Sequence, residues 1–383
     1  MPPAVPPPPP PAPWRYASLD AWRGVACLAV LGFHLGGALL DDSHAGLAYR
    51  PLRWLEQGGF LGVQLFFVVS GVCIAAAARG TRGPAAATTF LRRRARRIYP
   101  TFWAAMALAA LVGLVVAGLA AAGLSARLVD PFAAGWHWLS SLLLVETTLK
   151  TFGVDPDYAA NGPLWSLCYE VQFYAWVAFA WVARDRKTRV VAVVATTVAA
   201  VLVRAVPSLR PRGFLLDLWP DFLCGLWVHA RLTAAPTRRD RLLLDAGLLV
   251  SVAAYVLAFR VGGAGFPQDA KTSLVCLAFA ALLVALFPHD DRLASSPLGR
   301  GLAWVGERSY ALYLTHFPVV MLVAGLLLPR ALAHGPLVYA SAAATVAASF
   351  LVAVPFHALV ERRFLPRARP APPVAPSPSA PSP

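Results

Sequence analysis

Long apolar runs recur along almost the whole chain, and this constrains the fold more than any other feature. Ten such runs, near residues 20–40, 58–78, 99–122, 164–183, 189–206, 213–230, 242–260, 270–287, 307–328 and 336–360, are bounded by charge, glycine or proline. Runs of this length cross a hydrocarbon core of roughly 30 Å as helices, and inside lipid only a helix or a closed barrel satisfies its own backbone. The pattern predicts an all-α, polytopic helical membrane protein of about ten transmembrane helices, and it leaves no room for a second folded domain. Charged residues make up only 14% of the chain, against about 25% in soluble domains. The stretch 136–149, WHWLSSLLLVETTL, is apolar but short for a crossing and ends in polar residues, so it reads as a re-entrant or interfacial segment.

The 34 basic and 19 acidic residues leave a net charge of +15. In a soluble chain that balance would suggest a nucleic-acid partner. Here the arginines cluster in short loops between spans and report orientation in a lipid bilayer instead. With a cytoplasmic N-terminus and ten crossings, 24 of the 34 basic residues fall on the inner side, including seven arginines in 79–97 and the RDRKTR loop at 184–189. An extra crossing at 136–149 would destroy that asymmetry. The expectation is a multi-pass protein of the inner or plasma membrane with both termini cytoplasmic. The proline-rich ends, 1–18 and 365–383, read as disordered tails around a membrane domain at 19–364, and MPPAVPPPPPPAP does not have the make-up of a secretory signal. Cys27, Cys73, Cys168, Cys224 and Cys276 stand singly in apolar stretches and read as small packing residues. No metal site is predicted.

Candidate chemistry lies where polar residues interrupt these runs. In LDAWRGVACLAVLGFHL, His34 follows Arg23 by eleven residues, about 16 Å deeper along a helix, near the bilayer midplane. An ionisable group at that depth faces a cavity or the bundle interior and is either functional or a structural hydrogen-bonding group. A neutral imidazole there would be available as a base. In GVQLFFVVSGV, Ser70 and Gly71 lack the G-x-S-x-G elbow of a serine hydrolase and read as helix-packing residues. FLRRRARRIYP places Arg92, Arg93, Arg94, Arg96 and Arg97 just before the third span. This cluster either enforces orientation against anionic lipid or recognises the phosphates of a donor. NGPLWSLCYEVQFYAW carries Trp165, Ser166 and Glu170, and its carboxylate falls near the depth of His34, where it would orient the ring, bind acceptor hydroxyls or serve a structural bond. In SYALYLTH, Ser309, Tyr313 and His316 share one helical face and line either a reaction cavity or a helix contact.

Five of these pieces, LDAWRG with R-x10-H, GVQLFFVVSG, RRRARRIYP with R-x-x-R at Arg94 and Arg97, LWSLCYEVQFY and SYALYLTH, occur in an order that resembles membrane-bound acyltransferase family 3. The resemblance covers residues 19 to about 361. It implies a ten-helix bundle that moves an acyl group, commonly acetyl, from acyl-CoA onto hydroxyls of surface polysaccharides, lipid-linked glycans, peptidoglycan or glycosylated antibiotics. Acyl-CoA would be a donor substrate, with no permanently bound cofactor. Carried over by motif, Arg23 and His34 are the essential pair, Arg94 and Arg97 bind the donor, with Arg93 beside them, and Glu170 and Tyr313 line the site. Trp165, Ser166, Ser309 and His316 are the further candidates for substrate contact. The sequence departs from the family pattern at Gly71-Val72, where glycine-phenylalanine is usual.

These readings lead to an O-acyltransferase in which His34 is general base to a carbohydrate or glycoside hydroxyl and Glu170 assists. Direct transfer and a covalent acyl-imidazole both remain open. The rival from another class is a polytopic secondary transporter using His34 and Glu170 at the midplane for protons or substrate. Transporters often carry matched halves, and no second R-x10-H or WSL segment occurs in the C-terminal half.

Overall fold

A computed structural model describes residues 15–40, 44, 46–78, 83–121, 137–151, 162–182, 185–206, 213–261, 268–333 and 335–365. The described residues are helical, with no strand among them. In chain order the helices are α1 (Leu19–Leu39), α2 (Arg50–Gly58), α3 (Leu61–Ala77), α4 (Pro84–Ala121), α5 (His137–Leu143), α6 (Glu146–Thr151), α7 (Trp165–Trp176) and α8 (Arg186–Ala205). They continue as α9 (Trp219–Thr233), α10 (Arg238–Val261), α11 (Gln268–Leu286), α12 (Asp290–Ser295), α13 (Pro297–Glu307), α14 (Ser309–Ala333) and α15 (Gly335–Leu359).

Each of the ten expected spans coincides with a helix. Among the described residues, six helices (α1, α4, α8, α10, α11 and α15) are long and apolar enough to cross a bilayer. The α2–α3 pair, bent by 44°, adds a seventh. The remaining three positions hold α7 with its π-helical continuation Val177–Val182, the 15-residue α9 and the 25-residue α14. On α8, Val191, Val194, Val198 and Leu202 form an exposed apolar stripe that suits contact with lipid chains.

The segment 136–149 divides into α5 and α6 at Leu144, whose φ is +57°. Their seven and six residues each give only about 10 Å of helix, too little to cross. Side chains of α4 hold this segment down: Tyr99 and Trp103 donate to the carbonyls of Leu143 and Leu142 at 3.2 and 2.9 Å. Three features differ from the sequence expectation. Helix α4 begins fifteen residues before the expected span, because its alanines and arginines are strong helix formers with no breaker between Pro84 and Pro100. The short α2 and α13 were not anticipated. The expected N-terminal tail ends earlier than residue 18: Tyr16 is buried and donates to the Leu283 carbonyl, and the Asp290 carboxylate accepts the Ala17 and Ser18 amides at the start of α1. A carboxylate there suits the positive end of the helix dipole. The rest of both expected tails, 1–14 and 366–383, lies outside the described residues.

Helix α1 is the hub, packing against α2, α3, α13, α14 and α15. Glycines permit its closest approaches. A Cβ on Gly24, in LDAWRG, would stand 2.1 Å from the Leu302 carbonyl oxygen, and one on Gly306 would stand 1.7 Å from the Asp20 oxygen. Helices α3 and α9 meet in the same way at Gly71 and Gly225, the packing use of small residues expected between membrane helices. Elsewhere a buried ion pair joins α8 to the turn before α9. Arg204 reaches the Asp217 carboxylate at 2.6 Å, while Tyr255 accepts from Arg204 and donates to the Asp217 carbonyl.

The glycine contact yields a test. Gly24→Ala should force α1 and α13 apart and destabilise the purified protein by about 1–3 kcal/mol, measured as a lower thermal midpoint in detergent. An unchanged midpoint would show that the two helices are not in backbone contact.

Candidate active site

Arg23 and His34 are separated by eleven residues, close to three helical turns, so both project from one face of α1. Helix α14 runs parallel to α1 in fixed register along that face. Cys27 Sγ lies 3.6 Å from the Ser309 carbonyl oxygen, and His34 Nδ1 lies 3.2 Å from His316 Nε2. Both pairs are offset by 282 positions.

The tautomers of the two histidines follow from their partners. His316 Nδ1 sits 2.8 Å from the Tyr313 carbonyl oxygen and 3.0 Å from that of Leu312. A carbonyl only accepts, so this nitrogen carries the proton and Nε2 holds a lone pair. That lone pair faces His34 Nδ1, which is also 3.0 Å from the Val30 carbonyl oxygen. The His34 Nδ1–H is thus shared by two acceptors, and the basic lone pair of His34 resides on Nε2. Phe33 and Phe317 flank the ring edge-on, with centroids at 5.0 and 5.2 Å.

A cavity opens along the same face toward the arginine end. Arg23, Ser70, Arg94, Arg97, Ser166, Glu170, Tyr174, Ser309 and Tyr313 line it, so α1, α3, α4, α7 and α14 all contribute. Glu170 accepts from Ser70 Oγ at 3.1 Å and from the Tyr174 hydroxyl. Arg94 lies over the rings of Phe90 and Tyr174, at 5.3 and 5.4 Å. Tyr313 donates to the Pro163 carbonyl, so its oxygen receives the Ser166 hydroxyl at 2.6 Å. Its ring stands 5.9 Å from that of His316 and links the cavity wall to the histidine pair.

Seven of the residues singled out in the sequence therefore meet around one cavity, with His34 and His316 beside it. Two do not line it. Arg93 points to the exposed face of α4, while Arg94 and Arg97 turn inward. Trp165 packs edge-on against Tyr169 and Phe67. Glu170 bonds to Ser70 and Tyr174, and the partner of His34 is His316. Glu361, at the end of the last helix, is 2% exposed and pairs with His357 at 2.7 Å. Sequence reasoning passed over Ser70, read only as a packing residue, and Tyr174. The position of Tyr174, one turn after Glu170 on the same helix, was the available signal.

The family model described as "Acyltransferase domain" (Acyl_transf_3) matches residues 16–356. The chain belongs to acyltransferase family 3. Similar curated proteins include the peptidoglycan O-acetyltransferase OatA of Listeria monocytogenes, 25% identical over 80% of this chain and 49% of OatA. Acyltransferase MdmB of Streptomyces mycarofaciens is 29% identical over 80% of this chain and 79% of its own length. The exopolysaccharide production protein ExoZ of Rhizobium meliloti is 28% identical over 81% of this chain and 91% of its own. The chain thus spans about half the length of OatA and most of the other two. No solved structure matches. The long apolar helices make this family member a multi-pass membrane protein.

The cavity wall can be tested apart from activity. Tyr313→Phe leaves the Pro163 carbonyl and the buried Ser166 hydroxyl without their partner and should cost about 1–3 kcal/mol of stability. Ser166→Ala, which leaves the Tyr313–Pro163 bond in place, should cost less. Thermal midpoints of the two purified variants in the reverse order would refute this assignment of donors and acceptors.

Proposed function

We propose that this acyltransferase moves an acyl group, acetyl in the simplest case, from acyl-CoA to a hydroxyl of a carbohydrate or glycoside, with His34 as general base. The observation that carries the proposal is the polar tract of the cavity, from Arg23, Arg94 and Arg97 past Glu170 to Tyr313, whose ring stands 5.9 Å from that of His316 in the histidine pair. Arg94 and Arg97 from α4, with Arg23 of α1 on the same cavity although it also pairs with Asp20 at 3.1 Å, suit the phosphates of coenzyme A, which arginine forks bind strongly. His34 lies about 16 Å further along α1, so a donor with phosphates at one end of a flexible arm and a thioester at the other suits the tract. In this reading the arginine end is cytoplasmic, as are both termini.

In the chemical step the acceptor hydroxyl gives its proton to His34 Nε2 while its oxygen attacks the thioester carbonyl carbon. The tetrahedral adduct collapses with cleavage of the carbon–sulfur bond, and the departing thiolate of coenzyme A takes up the proton held on His34 Nε2, which restores the base. A thioester is already activated, so positioning and one base suffice. Two relatives, a peptidoglycan O-acetyltransferase and an exopolysaccharide production protein, favour a cell-envelope glycan as acceptor. Glu170, Ser70 and Ser166 are the neighbouring groups available to a sugar's hydroxyls.

Membranes containing the wild type should release free thiol from acetyl-CoA only when a glycan or glycoside acceptor is supplied. His34→Ala should reduce this by about 10²–10⁴-fold, the usual contribution of a general base. Equal release by both proteins would remove His34 from the chemistry. Absence of release with several acyl-CoA donors and a broad acceptor panel would overturn the acyl-CoA reading.

A further inference from the structure

His316 is fully committed to protein partners. It is 1% exposed, its Nδ1 donates to the Leu312 and Tyr313 carbonyls, and its Nε2 faces His34 Nδ1 at 3.2 Å. No polar atom is left to bind a substrate, so the substrate contact expected from its place on the Ser309–Tyr313–His316 face does not fit its surroundings. What it can do is act on His34.

We infer that His316 is a positioning residue that receives the Nδ1–H of His34 and so holds the opposite nitrogen, Nε2, unprotonated and aimed at the acceptor hydroxyl. The inference rests on the general-base reading of His34 and adds the group that orients the base. Three constraints act together on the His34 ring. The Val30 carbonyl and His316 Nε2 fix which nitrogen carries the proton, and the rings of Phe33 and Phe317 pack edge-on against the imidazole. When the acceptor proton reaches Nε2, the imidazolium keeps its Nδ1–H bonded to the carbonyl oxygen and to a neutral lone pair, so its positive charge stays hydrogen-bonded without a carboxylate beside the ring. Serine-protease-like triads give this orienting task to an acid. Here a second imidazole performs it, held in the required tautomer by two main-chain carbonyls of its own helix.

The test compares His316→Gln with His316→Leu. The glutamine carbonyl can reach the place of Nε2 and accept from His34, whereas leucine fills the space without an acceptor. His316→Leu should lose about 10- to 100-fold in kcat, the effect of losing one hydrogen bond to a charged group. KM for the acyl donor should stay near the wild-type value, and His316→Gln should recover most of the loss. Equal losses in both variants, or a loss confined to KM, would overturn the inference.

A measurement without turnover separates this inference from the general-base reading. In full-length protein labelled with ¹⁵N-histidine, solid-state NMR should show His34 as the Nδ1–H tautomer, with a nitrogen–nitrogen correlation to His316 that disappears in His316→Leu. A His34 proton on Nε2, or the absence of that correlation in wild type, would overturn the positioning role even if acyl transfer is found. A correlation of the expected kind in a protein without transferase activity would leave the pairing intact and reject the chemistry assigned to it.

Discussion

The packing of α1 against α13 and α14 governs everything else at the site. Two glycines, Gly24 and Gly306, bring the α1 and α13 backbones together, and the chain then passes through Arg308 into α14, which follows α1 in parallel. A fixed offset means that one contact sets the next: Cys27 against Ser309 places His34 against His316 two turns later. In lipid no water is present to replace a lost partner, so a shifted register would leave the His316 Nε2 lone pair without its donor, His34 Nδ1–H. Helix register and histidine pairing therefore reinforce one another.

The remaining helices build outward from that seam and supply different chemistry. Helix α4 brings arginines, α7 brings a carboxylate and a serine, and α3 adds the serine hydroxyl that meets the carboxylate. No donor of a full ion pair to Glu170 is seen at bonding distance among the described residues; its two hydrogen bonds come from hydroxyls. Arg94 and Arg97 thus line the cavity near a carboxylate that does not neutralise them by contact, while Arg23 pairs with Asp20 at 3.1 Å. That arrangement leaves positive charge for an anionic ligand, which is the physical basis for placing the donor at this end.

Local features of the site were legible in the sequence, and long-range ones were not. Spacing alone puts Arg23 and His34 on one face of a helix, and Ser309, Tyr313 and His316 on another, because 3.6-residue periodicity acts within a single element. That the two faces meet cannot be read locally, since the meeting depends on glycine contacts between helices nearly 300 positions apart. The same limit explains Arg93. Five arginines in six positions are alike in sequence, and the packing of α4 against α7 and α14 decides that Arg94 and Arg97 turn inward. Glu170 could be placed at about the right depth but not assigned its partners, Ser70 and Tyr174. The span pattern was read closely because hydropathy follows directly from the absence of water in lipid. The amphipathic α2 and the 11-residue α13 fall below the length at which hydropathy signals a crossing.

The proposed donor-binding end of the site is distinct from its proposed reactive end, and the most direct test separates binding from turnover. Binding of coenzyme A to purified, detergent-solubilised protein should be measured by calorimetry for wild type, His34→Ala and the double variant Arg94→Ala/Arg97→Ala. The account predicts near wild-type affinity in His34→Ala, despite its lost turnover, and an affinity at least about tenfold weaker in the arginine variant, as expected for lost charge-assisted contacts. Undiminished binding in the arginine variant, or loss of binding in His34→Ala, would contradict it.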